Sequence, residues 1–294
     1  YDRNHEKAEY LSILAELYPS YTKGEKAKAL GLYKEAYFHF KAVTDVDIEF
    51  KDAWNQQQQC AELAAYTLAY IPIHKSGLEN EIEIALGTAV NQSILALNDP
   101  FIKLLDRQNM ATLIQEQQVS MSAFFDEDKA LAAGRFEGAK YVITGEIIGY
   151  SNQLGRKIAD EKKGYLGKTI VAPKVRYQEY SQNRVLTASF KFQVLNTETG
   201  QILLTETIPF TESDATNYIV FDGDASSLYA GDWKFGLLGS RTDVVYNSKD
   251  EKAEVDKKLA ARREPYSKVE MDYLFIDYVG HIVANKIAKF QPGG

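Results

Sequence analysis

Apolar residues occupy every second position of residues 185–195, and this alternation constrains the fold more than any other feature of the sequence. Successive side chains of a strand point to opposite faces of its sheet, so the pattern predicts a strand with one buried face. The residues predicted to face the core are Leu186, Ala188, Phe190, Phe192 and Val194. A turn-forming run at residues 196–200 and an apolar run from residue 201 then predict a hairpin. The chain must therefore contain a sheet that other elements cover on one face.

Strands and helices alternate along the chain that surrounds this hairpin. Residues 66–73 are predicted to form a strand, in which Pro72 indicates either a sheet edge or the end of the strand. Helical periodicity follows between Ile82 and Leu97, and an Asn-Asp-Pro sequence ends it. The other predicted elements are strands at 101–105 and 141–150, a glutamine-rich helix at 108–118, a charged helix within 248–263 and an apolar closing helix at 274–287. This order predicts an α+β fold, in which helices flank a mixed sheet.

Residues 1–65 have helical periodicity instead, and we expect them to form a segment separate from an α+β domain at 66–294. Pro19 is predicted to end the first helix, and the second is predicted to start near Gly24. Residues 30–42 resemble one tetratricopeptide repeat. Because stable arrays of such repeats need about three copies, we expect a helical hairpin that packs on another surface.

Four aromatic residues of this segment are candidate partner-docking residues: Tyr33, Tyr37, Phe40 and Trp54. A hairpin that packs only on itself does not need this many aromatic side chains. We therefore expect some of them to contact the α+β domain, a neighbouring copy of the chain or a partner protein.

Composition excludes several functional classes. The net charge of -7 argues against a nucleic-acid partner, because phosphate binding requires a basic face. Cys60 is the only cysteine, and the four histidines lack the spacing of a zinc site. No phosphate-binding glycine loop or nucleophile motif is present, so we expect no catalytic residue, no metal and no cofactor. No run of eighteen apolar residues occurs, and the chain begins at Tyr1, as a mature product without its signal peptide would.

One region of the sequence resembles a known family. Residues 104–110 place an Asp-Arg pair after a short apolar strand, and residues 113–118 are rich in glutamine. Residues 141–150 read Tyr-Val-Ile-Thr-Gly-Glu-Ile-Ile-Gly-Tyr. These pieces and the hairpin at 185–204, in this order, resemble the CsgG/HfaB family, whose best-known member is the outer-membrane channel that secretes curli subunits. The resemblance extends, with gaps, over about residues 66–290.

The resemblance implies that each protomer contributes two β-hairpins to a ring-shaped outer-membrane barrel. Two stretches, 151–180 and 211–246, occupy the corresponding places. A lone hairpin has unpaired edges that lipid cannot satisfy, whereas closure in a ring pairs every strand. Alternation within the two stretches then assigns side chains to faces. The predicted lipid-facing residues are Tyr165, Val171, Val175, Tyr177, Tyr229, Trp233, Phe235 and Leu237. The predicted lumen-facing residues are Lys168, Lys174, Arg176, Asp232 and Lys234.

Two functions are therefore expected from the sequence. The first is a homo-oligomeric outer-membrane lipoprotein channel of a Gram-negative bacterium, through which fibre or surface subunits diffuse, with a periplasmic accessory protein as a further partner. The second is a periplasmic scaffolding or binding lipoprotein that keeps the CsgG-like domain and forms no pore. The charged run at residues 156–163 favours the second function unless it lies in an exposed loop at a hairpin tip. The resemblance implies a constriction built by an aromatic-bearing loop after the first strand, but the loop at the corresponding place here, 74–80, is short and has no aromatic residue, so a narrow gate is not expected from it.

Overall fold

The computed structural model describes residues 2–72, 80–105, 138–234 and 242–290, with side chains described from residue 14 onward. The helices are α1 (Asp2–Ala29), α2 (Tyr33–Thr44), α3 (Ala53–Ala64), α4 (Asn80–Ala96), α5 (Lys249–Leu259) and α6 (Lys268–Lys289). The strands are β1 (Tyr66–Pro72), β2 (Ile102–Leu104), β3 (Tyr141–Leu154), β4 (Ile158–Leu166), β5 (Lys174–Asn196), β6 (Ile202–Val220), β7 (Leu228–Asp232) and β8 (Val244–Val245). The predicted α+β fold is confirmed. The predicted helix at residues 108–118 lies outside the described residues.

The three N-terminal helices differ from the prediction in where they end. Pro19 lies inside α1, which continues to Ala29, and the chain turns instead at Gly31, whose φ is +75°. Proline is tolerated here because the rest of the helix is held by tertiary packing. Gly24 also lies within α1, where a Cβ would come within 2.9 Å of the Phe40 ring on α2. The glycine therefore allows close helix packing and does not start a new helix.

The sheet is mixed, as predicted. Its strand order is β2-β1-β3-β5-β4-β7-β8, and β6 pairs with the opposite edge of β5. Strand β1 runs parallel to both β2 and β3, while the remaining pairs are antiparallel. Pro72 therefore marks the end of an interior strand and not an edge strand. Proline has no backbone N–H to donate to a neighbouring strand. It is tolerated at the end of β1 because few inter-strand hydrogen bonds remain to be made there.

Strand β5 connects two halves of the sheet because it is 23 residues long. Its C-terminal half pairs with β3, and its N-terminal part, from Lys174 to Ser181, pairs with β4 along the same edge. We call β4, β7, β8 and the adjoining ends of β5 and β6, together with α5, the distal lobe. The other half, with β1, β2 and β3, packs against α4 and α6.

The core of the larger half confirms the alternation seen in the sequence. Leu186, Phe190 and Phe192 have no exposed surface and pack with apolar residues of α4 and α6. On α6, Phe275 is wholly buried, but Leu274 and Tyr278 remain 40% and 42% exposed. The apolar stripe predicted on this helix is therefore wider than the surface that the sheet covers.

Local geometry explains the two glycines of β3, Gly145 in the Thr-Gly-Glu motif and Gly149 four residues later. A Cβ on Gly145 would overlap the ring of Phe190, which lies across from β3 on β5. Gly149 has a φ of +66°, at the irregularity in register between Ile148 and Ser151. Both glycines are therefore required by local geometry, the first for close approach and the second for a β-bulge.

Aromatic contacts join the helical segment to the sheet. The rings of Tyr37 on α2 and Phe101 before β2 meet edge to face, with centroids 5.0 Å apart. The ammonium group of Lys34 lies 5.2 Å from the centre of the Phe101 ring and 5.3 Å from that of Tyr66. Helix α2 therefore packs on the chain's own α+β domain.

Candidate functional site in the distal lobe

The distal lobe contains most of the residues predicted to line a membrane hairpin. Strands β4 and β5 form an antiparallel hairpin whose tip is residues 167–173. Within the stretch 211–246, the described strands β6 and β7 do not pair with each other, whereas β7 pairs antiparallel with β8 through Gly231 and Asp232. Strand β6 pairs with β5, whereas β7 crosses over to pair with the far edge of β4. The chain reverses at residues 223–227, and the following strand β7 pairs with β4, which lies two strands away from β6.

The register separates residues that were predicted to share a face. Tyr165 lies directly opposite Lys174, and Tyr177 lies opposite Lys162. Directly opposite residues of an antiparallel pair point to the same side of the sheet. Tyr165 therefore shares a face with Lys174 and Arg176, while Tyr177 and Val175 occupy the other face. The two tyrosines therefore do not share a face, because the tip between residues 166 and 174 interrupts the alternation, and their assignment to lipid stays a prediction.

Helix α5 covers the face that carries Tyr177. Tyr177, Ile219 and Leu228 form a small buried cluster with Val255 of α5. Ser248 caps the helix through a reciprocal pair of bonds with Glu251. The ammonium group of Lys258 donates a 2.8 Å hydrogen bond to Glu179 of β5. The charged run at 248–263 is thus a helix, as predicted, and one side of it belongs to a core.

Three cations surround the Trp233 ring on the opposite face. Lys163, Lys174 and Arg176 place their charged groups 5.2, 5.7 and 5.3 Å from the centre of the ring. The indole N–H donates a 3.2 Å hydrogen bond to the carbonyl of Gly164. Trp233 is 8% exposed, so its ring is held inside the chain by cation–π contacts and by its own hydrogen bond.

Each of these cations also has an acidic partner. Lys163 lies 3.2 Å from Asp232, Lys174 lies 2.9 Å from Asp243, and Arg176 pairs with Glu161. The side chain of Asp243 has no exposed surface. Burial raises the pKa of the neighbouring Tyr165 hydroxyl, and the Asp243 charge raises it further. The face is thus a closed network in which positive and negative charges balance.

The structure places the predicted lipid-facing residues in different environments. Tyr165, Tyr177, Tyr229 and Trp233 are at most 8% exposed, whereas Val171 at the hairpin tip is 85% exposed. Val175 is partly buried beside the α5 cluster. Phe235 and Leu237 lie outside the described residues.

The predicted lumen-facing residues are also divided. Lys174 is mostly enclosed, while Lys168, Arg176, Asp232 and Lys234 are exposed. Their assignment to a lumen stays a prediction. Sequence reasoning missed Asp243, which bonds both Lys174 and the backbone N–H of Lys234. The sequence carries no signal for it, because a single aspartate in a loop is common.

The charged run of the first stretch lies within a paired strand. Residues 160–163, which read Asp-Glu-Lys-Lys, occupy the middle of β4, and the hairpin tip begins only at residue 167. Because faces alternate, Lys162 lies on one side of the sheet and Lys163 on the other. The four charged side chains are between 40% and 60% exposed. Both surfaces of this hairpin therefore present charge to their surroundings.

Most of the predicted docking residues of the helical segment contact other residues of the same chain. Phe40 is wholly buried in the core of the three helices, and Tyr37 packs on Phe101. Tyr33 is partly buried, and Trp54 is 49% exposed.

The described residues contain no group of three histidine, cysteine or acidic side chains arranged to hold a metal. Cys60 is buried, and burial raises the pKa of its thiol. None of the described helices combines the length and apolar character needed to cross a membrane.

Comparison with protein families identifies the larger domain. Residues 93–222, from the end of α4 through β6, match the family described as the curli production assembly/transport component CsgG. The chain carries a CsgG-like domain. The match includes the Thr-Gly-Glu motif, the β5–β6 hairpin and the β4 hairpin of the distal lobe. It does not include residues 1–65, so the tetratricopeptide resemblance stays a prediction.

Comparison with solved structures gives only distant likenesses, each to about half of the chain. No curated protein matches the chain. The LpoB C-terminal domain from Salmonella enterica is 15% identical with a TM-score of 0.30, covering 50% of this chain and 84% of that one. Lipoprotein GNA1162 from Neisseria meningitidis is 11% identical with a TM-score of 0.31, covering 52% and 83%. A PelC dodecamer from Paraburkholderia phytofirmans is 11% identical with a TM-score of 0.27, covering 51% and 73%. At these values nothing about function or assembly transfers to this chain.

Proposed function

We propose that this chain is a non-enzymatic scaffolding or binding protein of the bacterial cell envelope, in which the CsgG-like domain forms no pore by itself. The envelope placement follows from the family match, whose description concerns assembly and transport. The main support for a domain without a pore is the position of the charged run, which lies in the middle of β4.

A membrane hairpin needs one face that lipid can cover. On β4, whichever face turned to lipid would carry a lysine, Lys162 on one side and Lys163 on the other. A lysine on the lipid face costs about 2–4 kcal/mol near the middle of the bilayer. Lys162 is accompanied on its face by Asp160, 3.5 Å away, and Lys163 by Glu161 on its own side. The hairpin therefore has the surface of a water-exposed module.

The packing of the distal lobe favours the same function. For Tyr177 or Leu228 to contact lipid, α5 would have to leave the sheet and expose Val255. It would also have to break the Lys258–Glu179 hydrogen bond, and both groups would then need other partners. Helix α5 thus covers the apolar face of the lobe, which suits a role as a platform for protein partners.

A secretion channel is the second candidate, and one observation favours it. Strands β5 and β6 pair from Gln178 to Leu195, which carries their hairpin well beyond the part covered by α4 and α6. Several copies of such a ribbon in a ring would form the channel expected from the family. In this case α5 would have to be displaced during assembly.

Purification without detergent separates the two functions. We expect the chain to stay soluble as a monomer or small oligomer, to remain at the bottom of a liposome flotation gradient and to give no conductance across planar bilayers. Large rings in negative stain, together with conductance that depends on Lys174 or Arg176, would establish the channel and refute the scaffold.

A further inference from the structure

An apolar groove with an acidic rim lies in the helical segment, outside the CsgG-like domain. It has a volume of about 600 Å³ and lies between α1 and the loop from α2 to α3. Leu14 and Tyr18 of α1 and Val46 and Phe50 of the loop provide its apolar lining. Asp47 and Glu49 contribute the acidic rim, and Lys51 is the remaining lining residue.

The loop sequence explains why apolar surface and negative charge occur together. Acidic residues at positions 45, 47 and 49 alternate with Val46 and Ile48. Val46 and Ile48 are 63% and 61% exposed, whereas Phe50 is 4% exposed and anchors the loop beneath them. Apolar side chains that remain exposed to water beside a cavity are unfavourable. Burying them against an apolar side chain of a partner lowers the free energy.

Among the described side chains, the cations Lys51 and Lys41 each contact a group other than the acidic rim. The ammonium group of Lys51 lies 4.3 Å from the centres of both the Tyr18 and Tyr21 rings, so aromatic faces hold it. Lys51 keeps this position although its φ of +51° is unusual for a residue with a side chain. Lys41 pairs with Asp45 at the outer end of the loop. Asp47 and Glu49 are left as the negative groups that face the groove.

We propose that this groove binds a segment of a protein partner that presents an apolar side chain next to lysine or arginine residues. The apolar side chain would enter between Tyr18, Val46 and Phe50, and its basic neighbours would meet Asp47 and Glu49. Charge complementarity selects this occupant over an acidic or purely apolar one. The inference does not depend on whether the distal lobe enters a membrane.

Fluorescence anisotropy with the full chain tests the groove. The probe is a labelled twelve-residue peptide of alternating leucine and lysine, compared with peptides that replace every lysine by serine or by glutamate. We expect the lysine peptide to bind, and the serine and glutamate peptides to bind much more weakly. Equal binding of the serine peptide would remove the role of the rim and overturn the proposal.

Variants locate the binding. Val46→Ser should weaken binding about tenfold, because an apolar contact is lost. Glu49→Gln should weaken it about threefold to fivefold, in line with a partly exposed ion pair. Both positions are exposed, so circular dichroism should show unchanged folding. The matched controls are Val269→Ser and Asp250→Asn, on exposed parts of α6 and α5. Equal losses in the controls would indicate non-specific attraction to an acidic protein and would refute the site.

Discussion

Lys258 on α5 and Glu179 on β5 form a 2.8 Å hydrogen-bonded ion pair that fastens the helix to the distal lobe. Burial opposes both charges. Hydrogen bonds from Lys258 and Asn217 nevertheless hold the pKa of Glu179 below its usual value, and bonds to Glu179 and Glu254 raise the pKa of Lys258. The pair acts together with the apolar contacts of Val255 to hold α5 over Tyr177.

The pair makes the stability of the lobe depend on pH. The pKa of Glu179 is lower in the folded state, so its contribution is present above the unfolded value of about 4.3 and is lost as the pH falls through the folded value. The pKa of Lys258 is higher in the folded state, so its contribution is present below about 10.4 and is lost as the pH rises through the folded value. We expect Lys258→Met to cost about 1–3 kcal/mol at pH 7 and clearly less at pH 3. Denaturant unfolding at both pH values measures this, and an equal cost at both would contradict the pair's role.

A second prediction compares two residues that the sequence assigned to lipid. Tyr177→Arg should destabilise the protein in water by about 3–5 kcal/mol, because it places a charge beneath α5. Val171→Arg at the exposed tip should change the stability by no more than about 0.5 kcal/mol. Thermal unfolding of the two purified variants makes the comparison. If Tyr177→Arg were tolerated as well as Val171→Arg, the lobe would not be closed in solution.

A third prediction concerns Gly145 in the Thr-Gly-Glu motif. Gly145→Ala should destabilise the chain by about 1–3 kcal/mol, because the new methyl group meets the Phe190 ring. Adding Phe190→Leu should recover part of that loss, since the smaller side chain frees the space. A double-mutant cycle by urea unfolding tests this, and purely additive losses would show that the two residues are not coupled.

A fourth prediction concerns the contact between helix α2 and the sheet. Tyr37→Ala removes the edge-to-face contact with Phe101 and should cost about 1–3 kcal/mol. It should also make the junction near residue 65 more sensitive to limited proteolysis, because the three helices lose their support. The control is Trp54→Ala, whose side chain is 49% exposed. Equal protease resistance of both variants would mean that other contacts hold the helices in place.

The sequence by itself determined the elements whose periodicity reflects burial. The alternation at residues 185–195 specified one face of β5, because every second side chain of a strand must enter the core. The breaks at residues 98–100 and 196–200 likewise fixed the ends of α4 and β5, since those residues stop regular structure locally. The CsgG-like motif could be recognised in the sequence because its two glycines are required locally. Gly145 is required by the close contact with Phe190, and Gly149 by its positive φ.

Only the tertiary structure decided how the distal lobe is paired and covered. Alternation in a sequence says which side chains share a face within one strand, but not which strand lies next to it or what covers that face. Residues 211–246 were expected to contain one hairpin, yet β7 pairs with β4 as well as with β8, because pairing depends on edges that become available elsewhere in the chain. Tyr165 and Tyr177 read as one aromatic face, yet the hairpin tip between them places Tyr165 beside Lys174 and leaves Tyr177 under α5. Whether an apolar face meets lipid or a helix is decided by long-range packing, which no local pattern records.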